Sequence, residues 1–259
     1  MVFLQLLRCS LLFNYVRYLR TFAISEHLYM AANGGHLMRK VRNIFEPKAS
    51  RVLRCLLANP GEAWSVREIA REVQVSVGYT HAVTASLLDL GYVVRNELNL
   101  IETLDPIRLL ERWASYHQYV HENKFLEYYT FDREIERIIE KLWKVTSDYA
   151  LTTLSGAYLV SPYVRPTILE LYMKNKNQAQ NIIDNLQLRP TPREGNVRLV
   201  LPYDDGVFYK TQVLGAVKIV SNVQLYVDLI NYPSRGEEAA QKILDTIRKK
   251  WSSSLLKGQ

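Results

Sequence analysis

Two serine-capped helix starts, at Ser65 and Ser76 with one short helical stretch between them, constrain what this chain can fold into more than any other feature of it. Ser65-Val66-Arg67-Glu68 has the S-x-x-E form of a capping box, in which the serine hydroxyl accepts the N–H three residues on and the glutamate reaches back. The spacing predicts a short helix with Ile69, Ala70 and Val73 inward. Gln74-Val75-Ser76 reads as a tight turn, and Ser76 caps a longer helix running to Leu90 and ended by Gly91. Upstream, Ser50 to Ala58 carries apolar residues at helical spacing until Asn59-Pro60-Gly61 stops it. Past Gly91 the period changes, and Tyr92-Val93-Val94-Arg95 and Leu98 to Glu102 read as two strands around Asn96-Glu97. Helix, short helix, turn, longer helix and hairpin is the order of a winged helix-turn-helix, assigned here to residues 48–104.

Such a module places its longer helix in the major groove of duplex DNA. Thr80, Thr84 and Leu87 are expected to face the core, which leaves Ser76, Val77, Gly78, Tyr79, His81, Ala82 and Ala85 near the outer face. Gly78 permits close approach, Tyr79 and His81 can hydrogen-bond to base edges or phosphates, and Ala82 and Ala85 can meet thymine methyls. Arg67 and Arg95 are the phosphate candidates. For Tyr79 and His81, a packing tyrosine and an ordinary surface histidine stand beside the DNA reading. So does a small structural domain that touches no DNA, since fold alone does not decide function.

The chain has 259 residues, 48% of them hydrophobic, enough for two folded domains. Its net charge of +7 suggests a polyanionic partner. The charge is unevenly spread: +4 over residues 1–47, zero over 48–104, −2 over 105–149 and +5 over 150–259. The DNA-reading module is therefore neutral, so flanking segments or a homodimer must complete an electrostatic footprint. Two lone cysteines, Cys9 and Cys55, fit a reducing, cytoplasmic setting. Val2 to Ala23 is apolar but is broken by Arg8, Arg17 and Arg20, which argues against a membrane span, and no cleavage site follows it. Residues 1–47 read either as a helical extension with Leu4, Leu7, Leu11, Tyr15, Tyr18 and Phe22 on one stripe, or as a lead-in whose translation starts at Met38.

Asp105-Pro106 starts a helix with Ile107, Leu110, Trp113 and Ala114 inward. His117 and His121, four apart on one face, lack a third ligand and read as surface histidines rather than a metal pair. A second helix is expected from Asp132 to Trp143, making residues 105–148 a helical connector. From Tyr149 strands and helices alternate. Tyr149 to Thr152, Thr167 to Met173, Val197 to Pro202 and Gly215 to Ile219 read as strands; Ser155 to Leu159, Asn177 to Leu186 and Ser221 to Ile230 read as helices. Ser234-Arg235-Gly236-Glu237 looks like a second capping box opening the last helix. The fold class expected is α+β to α/β, with residues 149–259 a C-terminal α/β domain.

Gln224-Leu225-Tyr226-Val227-Asp228-Leu229 followed by Tyr232-Pro233-Ser234-Arg235-Gly236-Glu237-Glu238-Ala239-Ala240 resembles the C-terminal signature of the AbiEi-type antitoxin and transcriptional-regulator family of type IV toxin–antitoxin systems. Tyr149 to Thr152, Ser161 to Pro166 and Asn196 to Asp204 resemble that family's intermediate blocks. The resemblance spans about Lys48 to Trp251. It implies a DNA-binding antitoxin that represses its own operon and counters a nucleotidyltransferase-like toxin without needing to bind it. It singles out Tyr226, Asp228, Pro233, Arg235, Gly236 and Glu237 as the C-terminal motif. Read from the residues alone, Tyr226, Asp228, Arg235 and Glu237 serve equally well as cap, helix-start pair and packed core.

No G-x-S-x-G, P-loop, H-E-x-x-H or dinucleotide fingerprint occurs, so neither an enzyme of those classes nor a cofactor is expected. The alternative of another class is a nuclease-like domain, with Asp204, Asp205, Asp228 and Glu170 around Mg²⁺, although Lys174 falls on the wrong side of the strand from Glu170. A protein-interaction module whose winged helix dimerises is the third reading.

Overall fold

In the computed structural model, which describes residues 41, 43–145, 148–174, 176–192 and 195–255, the two serine-capped helices of the N-terminal module lie where their capping chemistry puts them, and the helix before them starts at Pro47 rather than Ser50, without a side-chain cap. Helix α1 is Pro47–Ala58, α2 is Val66–Glu72 and α3 is Val77–Asp89. The Ser65 box is complete: Ser65 Oγ accepts from Glu68 N at 3.2 Å, and Glu68 Oε2 from Ser65 N at 2.8 Å. Both α2 and α3 end in the same way. Val75 N reaches back to Ala70 O and Gln74 N to Arg71 O, with Gln74 left-handed at φ 54°. Tyr92 N reaches Leu87 O and Gly91 N reaches Leu88 O, with Gly91 at φ 68°. These are Schellman caps, and each tucks the following apolar residue, Val75 or Tyr92, into the core.

The wing differs from the expected tight hairpin. Strands β1 (Val93–Arg95) and β2 (Ile101–Thr103) pair with Arg95 opposite Ile101, so Leu98 and Leu100 lie in the connecting loop. The cause is Asn96, whose Oδ1 accepts from Leu98 N and Leu100 N, both at 3.0 Å, while Asn99 takes the left-handed turn position at φ 60°. Trp64 adds an antiparallel bridge to Ile101, tying the wing to the lead of α2. Two outer-face assignments in α3 are also overturned. Ala82 and Ala85 are buried, like Thr80, Thr84 and Leu87. The lead-in to α1 covers this side: Val41 N donates to Ser86 Oγ, and Ile44 is buried in the same core.

The region expected to be a purely helical connector contains a strand. Helix α4 (Pro106–Tyr116), capped by Asp105 accepting from Arg108 N, ends at His117, whose ψ of 131° is extended. A short helix α5 (Tyr119–Glu122) and strand β3 (Lys124–Tyr129) follow, then α6 (Ile135–Val145). His117 and His121 therefore share no helical face. His117 is buried, at 3% exposure, while His121 is exposed. The strand escaped notice because Lys124-Phe125-Leu126-Glu127-Tyr128-Tyr129 puts charged and apolar residues on both faces, a near-edge pattern without clean alternation.

Beyond α6 run β4 (Tyr149–Leu151), α7 (Thr153–Val160), β5 (Leu169–Met173), α8 (Lys176–Asn185), β6 (Arg189–Pro190), β7 (Val197–Leu201), β8 (Gln212–Leu214), β9 (Val217–Ile219), α9 (Asn222–Ile230) and α10 (Gly236–Leu255). The described strands form a seven-stranded mixed sheet in the order β6-β3-β7-β5-β4-β9-β8, parallel at β5–β7 and β4–β9. All five residues of β5 are buried, so both faces of the sheet are covered there. Helix α4 packs on α9, and α1 also touches α9, so winged helix and sheet share one continuous core. The fold is α+β: a helix-turn-helix followed by a mixed helix and sheet body.

The second capping box does not form. Ser234 and Arg235 are both left-handed, at φ 57° and 68°, and α10 starts only at Gly236. A Cβ on Gly236 would lie 2.6 Å from Leu229 O, so the chain must turn sharply where it leaves α9. Leu4 to Phe22, Cys9 and Met38 lie outside the described residues, among which no helix is long and apolar enough to cross a membrane.

Gly156 fixes how closely α7 approaches its neighbours. A Cβ there would stand 2.8 Å from Leu225 Cδ2 and 2.9 Å from Ile219 Cγ2. Gly156→Ala is expected to destabilise the protein by ~1–3 kcal/mol through overpacking, despite alanine's better helix propensity. Urea unfolding of the full chain measures it.

Candidate nucleic-acid interface

Helix α3 is buried along most of its length and exposed at its two ends, the first turn and Asp89. Ser76, Val77 and Gly78 are exposed, Tyr79 and His81 half-buried. Ser76 Oγ is committed to Tyr79 N as the cap. Nothing lies within 4 Å of a Cβ built on Gly78, so its surface is open. Tyr79 is less available than its position suggests. Its hydroxyl donates to the Glu46 carboxylate, and Lys48 Nζ stands 5.1 Å over its ring. Burial, then the hydrogen bond to Glu46, pushes its pKa upward.

Arg67 projects from the exposed face of α2. Arg71, which sequence reading passed over, is exposed one turn further on the same face, a four-residue spacing visible in the sequence. Arg95 is folded onto the wing tip, with Nη1 donating to Asn99 O at 3.1 Å and Asn99 Oδ1 at 3.0 Å.

The other two arginines of the module point inward and mount it on the body. Arg54, 2% exposed, donates from Nε to Gln224 Oε1 at 2.9 Å and from Nη1 to Ser50 Oγ at 2.6 Å, and its Nη2 meets the Tyr203 hydroxyl. Its guanidinium stacks 4.9 Å over Trp113. Gln224 passes the contact on, donating to Asp228 Oδ1 at 2.7 Å. Asp228, fully buried, also accepts from Thr152 Oγ1 at 2.6 Å, from the Tyr172 hydroxyl at 3.2 Å and from His117 Nε2 at 3.1 Å. His117 Nδ1 faces Glu122 Oε2 at 3.0 Å. A carboxylate at each ring nitrogen favours the imidazolium form of His117. Burial alone would lower its pKa; the hydrogen bonds to Asp228 and Glu122 outweigh it and raise it. Arg51 completes the mount, with Nε at 2.9 Å from Asp204 Oδ1.

Three of the acids named in the nuclease alternative are engaged in these and neighbouring bonds. Asp204 pairs with Arg51 and Asp228 sits in the buried network. Glu170 lies in a ladder, Glu127–Arg198–Glu170, across β3, β7 and β5, whose register sets the three residues side by side. Among the described residues no three acidic, histidine or cysteine side chains gather as metal ligands. Of the C-terminal motif, Tyr226, Asp228 and Gly236 are buried, whereas Pro233, Arg235 and Glu237 are exposed. Arg235 pairs with Glu238 at 2.7 Å. Cys55 is free and buried, its thiol pushed up to about 12 chiefly by that burial.

Two family profiles meet at the wing. The IclR helix-turn-helix domain matches residues 48–97. The family described as transcriptional regulator, AbiEi antitoxin, type IV TA system matches residues 102–248, more than half of the chain. The chain belongs to the AbiEi antitoxin family. This AbiEi regulator is thus a DNA-binding transcriptional regulator of a toxin–antitoxin system, with its helix-turn-helix ahead of the family's own domain. Neither curated proteins nor solved structures gave a significant match.

The charge state of His117 sets a pH dependence for this AbiEi protein. Its raised folded pKa means its contribution to stability is complete below the unfolded value of about 6.5 and is lost as pH rises through the folded value. The opposite edge comes from Glu122, whose pKa is lowered by His117 against the effect of burial; its contribution is lost on acidification. The stability difference between wild type and His117→Gln is expected to be largest near pH 6, on the order of 3 kcal/mol for a broken buried pair, and to shrink as pH rises. A difference independent of pH in urea unfolding would show that His117 is neutral.

Proposed function

We propose that this regulator represses its own operon by seating the N-terminal turn of α3 in the major groove of its operator. The exposure pattern of α3 carries this reading. The helix is packed between its ends, and its exposed first turn is the part a helix-turn-helix presents to base edges. Val77, Gly78 and His81 are the base-facing candidates, with Ser76 as cap and Tyr79 as a support held by Glu46. Arg67 and Arg71 hold the backbone where α2 crosses it, and Arg95 stiffens the wing. A homodimer on a two-fold operator doubles a footprint that is small per winged helix. By resemblance the counterpart is a nucleotidyltransferase-like toxin, restrained through repression of a shared operon in the cytoplasm. The protein acts by binding rather than by catalysis, in keeping with acids committed to arginines and buried hydrogen bonds.

Gly78 separates this reading from a structural winged helix. Gly78→Leu has open space for its side chain and should fold as well as wild type, with helix propensity improved by about 0.8 kcal/mol. On DNA the added side chain occupies the approach surface and should cost operator affinity on the order of 1–3 kcal/mol. His81→Ala should reduce operator preference over random duplex by ~1–3 kcal/mol while leaving non-specific binding nearly intact. Wild-type operator preference in both variants, measured by titration of labelled duplexes, would remove α3 as the reader.

A further inference from the structure

The winged helix has few cations to offer a phosphate backbone. Over residues 48–104 the charges cancel. Arg51 and Arg54 are turned inward, and Arg95 is folded onto Asn99 on a wing that also carries Glu97 and Glu102. That leaves Arg67 and Arg71 on the exposed face of α2, and Lys48, whose ammonium stands over the Tyr79 ring.

At the end of α2 the C-terminal body supplies another. Glu72 Oε1 accepts from the Tyr209 hydroxyl at 2.9 Å and lies 3.3 Å from Lys210 Nζ. Arg71 acts on the same carboxylate, which is held ionised below its ordinary pKa chiefly by Tyr209 and Lys210. Lys210 has a left-handed backbone, φ 51°, and stands 5.4 Å from the centre of the Tyr209 ring. Its side chain is 55% exposed. Lys210 is thus ordered beside a carboxylate on which Arg71 also acts, and together the two cations exceed that one acid by a charge. Glu72 occupies one direction around the ammonium, and the remaining N–H donors are open to solvent. The rotamer freedom a phosphate contact would cost is already partly spent. The nearby acid Asp205 acts on Arg51 instead.

We propose that Lys210 binds a phosphate of the DNA strand that α2 crosses, so that the regulator's DNA footprint continues from the winged helix onto the C-terminal body. The inference rests on the docking proposed above, in which the first helix of the pair runs over the backbone. Lys210 is a sequence-independent contact: it adds affinity and salt dependence and carries no base preference.

The test is a salt series of binding by the full chain to operator and to random duplex. It compares wild type, Lys210→Ala, Glu72→Gln, the two combined, and Arg67→Ala with Arg71→Ala. Lys210→Ala should lower the slope of log K against log salt by about one per bound protomer on both duplexes, with the melting temperature unchanged. Glu72→Gln should not lower the slope, and the combined variant should show the slope of Lys210→Ala. A wild-type slope for Lys210→Ala overturns the proposal. So does a loss that vanishes in the Glu72→Gln background, which would make Lys210 only an ion-pair partner of Glu72. The arginine pair keeps the two ideas apart. If it also leaves the slope unchanged, the docking of α2 fails; if it lowers the slope and Lys210→Ala does not, only the footprint inference fails.

Discussion

A carboxylate without water must be met by donors on every side, and Asp228 in α9 is the group around which this molecule arranges them. It is fully buried and draws hydrogen bonds from Thr152 after β4, Tyr172 in β5, Gln224 one turn back in its own helix and His117 at the end of α4. Those donors come from separate segments of chain, so satisfying one charge fixes the sheet, the helix packed on it and the connector together. The charged form of His117 is favoured because it lies between two carboxylates, and Gln224 is oriented because its amide must accept from Arg54 and donate to Asp228. The positive charges Arg54 and His117 are matched by Asp228 and Glu122 in one region of low dielectric. A half-satisfied version of such a network is costlier than an apolar core.

Arg54 makes the network more than a stability device. It belongs to α1 of the winged helix, and its burial means that the DNA-reading module cannot part from the body without exposing an apolar surface and breaking charged hydrogen bonds. The segment from Tyr203 to Lys210 grips the same module: Tyr203 meets Arg54, Asp204 meets Arg51, and Tyr209 and Lys210 meet Glu72. Gly206 permits the grip, since a Cβ there would come within 3.0 Å of Arg51 Cγ. The placement of α1 and α2 against the C-terminal body is therefore fixed by this segment, which ties the winged helix to the sheet.

Local chemistry was legible in the sequence and long-range pairing was not. The Ser65 box, the Ser76 cap, Gly91 and the Asp105-Pro106 start all report on contacts within four or five residues, and all are formed. Strand β3 depends on partners more than sixty residues away in β6 and β7, and its own residues carry no clean period. The Ser234 box failed for a related reason. Its four residues have the right chemistry, but the close approach of Gly236 to Leu229 O takes priority and forces Ser234 and Arg235 into a left-handed turn. Within the interface, the face of α3 was misjudged at Ala82 and Ala85 because helical period alone assumes one buried stripe. Here the chain leading into α1 closes over a second one.

The neutral charge of the winged helix, which weakens the case for DNA when residues are only counted, has a different meaning once the side chains are placed. Charge that neutralises phosphates must be at the surface and on the docking side. Arg54 is buried, and Arg51, 24% exposed, is paired with Asp204, so neither is free for a phosphate. The acids are likewise engaged: Glu68 is bound up in the cap of α2, and Glu72 accepts from the Tyr209 hydroxyl and is flanked by Arg71 and Lys210. Along α2, Arg67 and Arg71 face outward beside Glu68 and Glu72, two exposed carboxylates whose hydrogen bonds are already committed. A module that sums to zero thus presents a positive face, because the cations that cancel in the count are not the ones that DNA would meet.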